Sequence, residues 1–82
     1  MRRVLITGGG TGIGRAIAWA FAKNGDAVTI AGRRIDVLHT VAEGHNITCV
    51  KADVTDEGDI QGMFRSPFDI VVANAGWGSS GK

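Results

Sequence analysis

The 82 residues make one small domain at most, and a chain this short buries only about 60–65% of the surface that its unfolded form exposes. A formal net charge of +1 argues against a nucleic-acid or membrane partner held by bulk electrostatics. The single cysteine, Cys49, excludes an internal disulfide and fits a reducing cytoplasm, the expected location.

The basic N-terminus leads into Val4, Leu5 and Ile6, a run too short for a signal-peptide core. No other segment approaches the roughly 20 apolar residues that span a bilayer. Val4–Ile6 instead predicts a short buried strand. It runs into glycines broken only by Thr11 and Ile13, and Arg15 then opens an amphipathic helix. A strand, a glycine turn and a helix N-terminus together form an anion site, because the first free N–H groups of the helix and its positive dipole end both face the turn. Gly8 can take backbone angles closed to other residues. Gly12 and Gly14 lack the Cβ that would block a pyrophosphate, or block close packing of helix on strand. The stretch predicts a nucleotide phosphate cradle, with a ligand-free glycine turn as the competing reading. A Walker-type loop is disfavoured, since no Gly-Lys-Ser/Thr follows.

The first helix is expected over about Gly12–Lys23, with Ile13, Ala16, Ile17, Ala20 and Phe21 on the face that packs on a sheet. Gly25 suits the left-handed position that ends it. Trp19 falls off that stripe and reads as a partly exposed packing residue rather than a contact for another segment or subunit. A second strand follows at Ala27–Ala31 and ends at Gly32-Arg33-Arg34. A second helix over about Ile35–Glu43 carries Val37, Leu38, Val41 and Ala42 at helical spacing, closed by Gly44. His39 and His45 have no Cys or carboxylate cluster at ligand spacing and read as surface histidines.

Ile47–Ala52 predicts the third strand, ended by Asp53. Thr55 can cap a third helix whose start suits Asp56 and Glu57. Gly58 and Gly62 weaken it by about 1 kcal/mol each relative to alanine, and its apolar face reduces to Ile60, Met63 and Phe64. Phe68–Ala73 predicts the fourth strand, followed by Asn74-Ala75-Gly76 and a loop-like tail holding Trp77.

Strands alternating with helices predict an α/β fold, a Rossmann-like doubly wound parallel sheet truncated to about four strands in the order 3-2-1-4 with three helices. Ligands bind such sheets where the order of growth reverses, beyond the strand C-termini. Thr7–Gly14, Arg33, Asp53 and Asn74–Gly76 all end strands on that edge.

Thr7-Gly8-Gly9-Gly10-Thr11-Gly12-Ile13-Gly14 resembles the TGxxxGIG pattern of the short-chain dehydrogenase/reductase family, and Asp53-Val54 and Asn74-Ala75-Gly76 resemble its next two motifs in order. Three residues between Gly8 and Gly12 make the chain similar to the single-domain oxidoreductases rather than the epimerase-like branch. The resemblance covers the whole chain. It implies that Gly8, Thr11, Gly12, Ile13 and Gly14 line the phosphates and ribose of a nicotinamide dinucleotide. It further implies that Asp53, with Val54 beside it, accepts from the adenine amino group, and that Asn74, Ala75 and Gly76 pass under the nicotinamide ribose. Asp53 as a cap into the third helix and Asn74 as a turn residue stay open as plainer readings.

The family's catalysis uses a serine and a Tyr-xxx-Lys pair on later elements, and this sequence has no tyrosine. Ser79 and Ser80 lie too soon after the fourth strand to match that serine. The chain is therefore expected to be a dinucleotide-binding domain over residues 1–82 that lacks the catalytic C-terminal half and is inactive alone. A stand-alone nucleotide-binding module, or a fragment that associates with a full-length relative, are the competing readings. With one sheet face thinly covered and an apolar fourth strand at the edge, self-association is expected. At the end of the second strand, where an Asp or Glu would bind an adenosine ribose hydroxyl pair, stands Gly32, followed by Arg33 and Arg34. A guanidinium fork suits a phosphate dianion, so NADP(H) is favoured over NAD(H), with Arg33 on the 2′-phosphate and Arg34 stacked on adenine. The plainer reading makes both arginines solvated residues opening the second helix, against its dipole.

Overall fold

The computed structural model describes residues 1–8, 10, 12–53, 56–63 and 67–73, the side chains of residues 60 and 63 excepted. Seven elements alternate: β1 (Arg3–Thr7), α1 (Gly12–Lys23), β2 (Ala27–Gly32), α2 (Ile35–Ala42), β3 (Ile47–Lys51), α3 (Glu57–Met63) and β4 (Ile70–Ala73). The strands form one parallel sheet in the order β3-β2-β1-β4, as the alternating pattern predicts. β1 lies between two neighbours, with Ile6 opposite Ile30 on one side and Val72 on the other. A strand paired on both edges and covered on both faces needs an unbroken apolar run, and Val4, Leu5 and Ile6 are fully buried.

The period-two alternation of side chains divides the interior. Val4, Ile6, Val28 and Ile30 face α1 and α2 and pack with Ala18, Leu38 and Val41. Leu5 and Ala31 face the other way, with Ala52, Val50 and Phe68 around them. An open groove of about 350 Å³ on that second face is lined by Arg3, Leu5, Thr29, Val50, Gly62 and Phe68, among others.

The face of α1 differs from the expected one. Gly14 and Ala18 are buried, Ile17, Phe21 and Ala22 pack against the core, and Ala16 and Ala20 are exposed. Ile13 is 71% exposed. The helix approaches the strands through its smallest residues one turn apart, which brings the backbones close and rotates the larger Ile13 outward. Trp19 is half-buried against the core. Its indole Nε1 donates to the Val41 carbonyl at 2.9 Å, and the His45 ring stacks on it at 5.3 Å between centroids. His39 is exposed, as expected. Gly25 and Gly44 end α1 and α2 with φ of +89° and +77°, the left-handed geometry that glycine takes without a Cβ penalty.

β4 starts later than the sequence pattern predicts. Asp69 exchanges two hydrogen bonds with Arg3, whose N–H donates to Asp69 Oδ2 and whose carbonyl accepts from the Asp69 N–H, each at 2.8 Å. The carboxylate takes a ladder bond, so regular pairing begins at Ile70, and Phe68 turns into the second cluster. The start of α3 carries a side-chain bond that the sequence pattern did not single out. Asp56 Oδ1 accepts from the Asp59 N–H at 3.1 Å, the Ncap-to-N3 bond of a helix that starts at Glu57. Thr55, Phe64 and Trp77 lie outside the described residues, as do the side chains of Ile60 and Met63.

Candidate functional site

Because every strand is parallel, their C-terminal ends share one edge of the sheet. In register, Thr7 stands opposite Ala31 and Ala73, and Gly32 opposite Lys51. The order reverses between β1 and β4, so the residues leaving β1 stand at the switch point where α/β sheets take ligands.

Gly8 leaves β1 with φ of +73°, and its N–H donates to the Ala31 carbonyl at 2.8 Å. That bond fixes the start of the turn against the end of β2, and the positive φ is the reason a glycine stands there. Gly12 is the first residue of α1, and among the described residues a Cβ placed on it would meet nothing within 4 Å. Among these residues, the position of that Cβ at the start of the helix is unfilled. Gly14, one position past exposed Ile13, is buried. Arg15 is exposed, its guanidinium carbon 5.2 Å from the centre of the Trp19 ring.

Gly10 carries a contact that the sequence pattern did not single out. A Cβ built on it would lie 2.8 Å from Val37 Cγ1 and 3.8 Å from Leu38 Cδ2. The turn leans on the first turn of α2, a packing between segments 27 residues apart in sequence (37 − 10) that no local motif encodes.

At the end of β2, Gly32 is half-buried and Arg33 and Arg34 are exposed. Arg34 is the N-cap residue of α2, with φ −108° and ψ 93° and no side-chain capping bond. Its Nη2 stands 3.9 Å from Asp36 Oδ2, with both side chains mostly in solvent, an ion pair too long and too wet to hold the guanidinium. Both arginines thus stand beside the glycine turn with their heads in water.

Asp53 follows β3 on the same edge and is half-buried. Its N–H donates to Asp59 Oδ2 at 2.8 Å, and its carbonyl accepts from the Asp56 N–H at 2.9 Å. Asp56 Oδ1 supplies a side-chain cap of α3. Among the site residues read from the sequence, the fold brings Gly8, Gly12, Ile13, Gly14, Arg33, Arg34 and Asp53 to one edge. Thr11, Val54, Asn74, Ala75 and Gly76 lie outside the described residues.

The profile of the short chain dehydrogenases matches residues 2–82, essentially the whole chain. The chain belongs to the short-chain dehydrogenase family. An oxidoreductase of Sarocladium schorii is 41% identical over 85 residues, which cover 94% of this chain and 34% of that protein. The crystal structure of a short chain dehydrogenase from Bacillus anthracis superposes with a TM-score of 0.82 at 34% identity, over 90% of this chain and 34% of that one. The actinorhodin polyketide ketoreductase, crystallised with NADPH, superposes with a TM-score of 0.79 at 26% identity, over 89% and 32%. The chain thus spans about a third of the length of these relatives. The strand order and the alternation of strands and helices match those of short-chain dehydrogenase structures.

Proposed function

We propose that the chain is the NADP(H)-binding part of an oxidoreductase of this family, one that transfers hydride between nicotinamide and a carbonyl or alcohol substrate. The observation that carries the reading is the end of β2, where Gly32, Arg33 and Arg34 stand beside the glycine turn with both guanidiniums solvated. A carboxylate at Gly32 would repel a ribose 2′-phosphate, and a guanidinium fork attracts it. The position of the missing Cβ of Gly12, which no described residue fills within 4 Å, fits a pyrophosphate. A bound nicotinamide supplies or accepts the hydride. The residues of this chain hold the dinucleotide: Gly8, Thr11, Gly12, Ile13 and Gly14 along the phosphates and ribose, Arg33 on the 2′-phosphate and Arg34 on adenine. Asp53 and Val54 serve the adenine amino group, and Asn74, Ala75 and Gly76 the nicotinamide ribose. The NADPH bound to the actinorhodin ketoreductase supports the choice of dinucleotide.

With no tyrosine in the sequence, nothing in the chain matches the family's proton-transferring acid/base, and the chain alone is inactive in this reading. A charge-assisted hydrogen bond is worth roughly 1.5–3 kcal/mol, so one arginine on the 2′-phosphate favours NADP over NAD by about 10- to 100-fold. The test is a titration of both dinucleotides against the parent chain and Gly32→Asp/Arg33→Ala. The aspartate is sterically admissible, because its Cβ would stand 3.4 Å from Leu38 Cδ2. Equal affinities in the parent, or a preference unmoved by the double change, would remove the arginine argument.

A further inference from the structure

The missing side chain of Gly10 is filled from α2. A Cβ there would stand 2.8 Å from Val37 Cγ1, about 0.7–1.2 Å short of the 3.5–4.0 Å at which carbon pairs attract best. Val37 is β-branched, so its Cγ1 cannot swing aside without leaving its preferred rotamer. The relief must come from the backbone of α2. That backbone is tied to Arg34, whose carbonyl accepts from the N–H groups of Val37 at 3.1 Å and Leu38 at 3.2 Å. Leu38, the next residue, packs against both the turn and the end of β2. It is 2% exposed, and its Cδ2 lies 3.8 Å from the Cβ position of Gly10 and 3.4 Å from that of Gly32. The turn, the end of β2 and the first turn of α2 thus meet at two side chains, Val37 and Leu38.

Resting on the NADP(H) reading above, we propose that Val37 is a positioning residue for dinucleotide selectivity: its contact with the bare backbone of Gly10 sets how far Arg33 and Arg34 stand from the glycine turn. The contact is one of exact fit from both sides. A methyl added at Gly10 pushes the first turn of α2, and Arg34 with it, away from the turn. Methyls removed from Val37 let that turn settle inward. The change at Val37 lies outside the cradle at Gly8 and Gly12, so it misplaces the arginines alone: NADP affinity falls and NAD affinity holds. Made together, the two changes restore the contact, because the new Cβ takes the space that Cγ1 left.

The experiment is a double-mutant cycle on the full chain, with Gly10→Ala, Val37→Ala and the pair. NADP and NAD affinities are measured by titration, and folding is checked by far-ultraviolet circular dichroism. The result expected is that each single change lowers the NADP-to-NAD preference about threefold or more, and that the pair returns it to within about twofold of the parent, the non-additivity of groups in contact. A merely structural role would weaken both dinucleotides alike. A folded Val37→Ala with the parent's preference overturns the proposal, as does a double variant no more selective than Gly10→Ala. Should Gly10→Ala not fold, Val37→Ala and the double variant still decide it. A parent chain that binds both dinucleotides equally overturns the NADP(H) reading itself. A selective parent with unmoved variants overturns only the role of Val37.

Discussion

The indole Nε1 of Trp19 donates to the carbonyl of Val41 at 2.9 Å, joining the middle of α1 to the end of α2. The two helices cover the same face of the sheet, and their contact holds the roof over Val4, Ile6, Val28 and Ile30. Trp19→Phe keeps most of the apolar area and removes the donor. Loss of one hydrogen bond, with the Val41 carbonyl left to solvent where it can reach it, predicts a destabilisation of about 1–2 kcal/mol. The denaturant midpoint should fall with the slope unchanged. An unmoved midpoint would show that the bond contributes nothing.

At the opposite end of the sheet, Asp26 predicts an acid-sensitive contact. It is 4% exposed, and it accepts from Arg2 Nη2 at 3.2 Å and from Asn24 Nδ2 at 3.2 Å. The Arg2 and then the Asn24 hydrogen bonds hold its carboxyl below the ordinary 3.8, against the opposing effect of burial. A carboxylate with a depressed folded-state pKa adds stability above its unfolded value, and that stability is lost as pH falls through the folded value. Thermal midpoints taken from neutral pH down to about pH 2.5 should therefore fall in the parent below the ordinary carboxylate range. The fall should be shallower in Asp26→Asn. Parallel curves for the two proteins would rule the contact out as the source.

Gly8 and Gly12 predict opposite phenotypes. Gly8→Val forces a β-branched residue to φ near +73° and should cost about 1–3 kcal/mol. Gly12→Ala adds a methyl at the start of α1, where no described residue stands within 4 Å of it, and should leave stability within about 0.5 kcal/mol. The same methyl occupies the phosphate cradle, so dinucleotide affinity should fall about tenfold or more. Calorimetry on Gly12→Ala gives both quantities. Unchanged affinity would reduce the turn to a plain connection.

Among the described strands β4 is the outermost next to β1, which predicts association. β4 ends the sheet order, and Val71 is 47% exposed on it. An apolar edge strand offers unpaired backbone groups to a second chain. The chain should therefore self-associate with rising concentration, and Val71→Lys should shift sedimentation toward the monomer. A parent that stays monomeric at high concentration would show that the edge is already protected.

The charge-free run Val4–Ile6, the glycines after it and the regular alternation of strand and helix determined the architecture by themselves. Each is a local signal, and in a Rossmann-like doubly wound sheet with right-handed crossovers they give the order 3-2-1-4. The same signals placed Gly8, Arg33 and Asp53 on one edge, because strand ends in a parallel sheet point the same way. Only the tertiary structure decided which side of a helix faces inward: in α1 the close approach at Gly14 and Ala18 outweighed the wider apolar stripe through Ile13. It alone decided that Asp69 takes the first ladder bond of β4 and that Asp56 caps α3. The contact of Gly10 with Val37 belongs there too. A glycine's missing side chain carries no sequence signal of what fills the space, and only packing between distant segments supplies it.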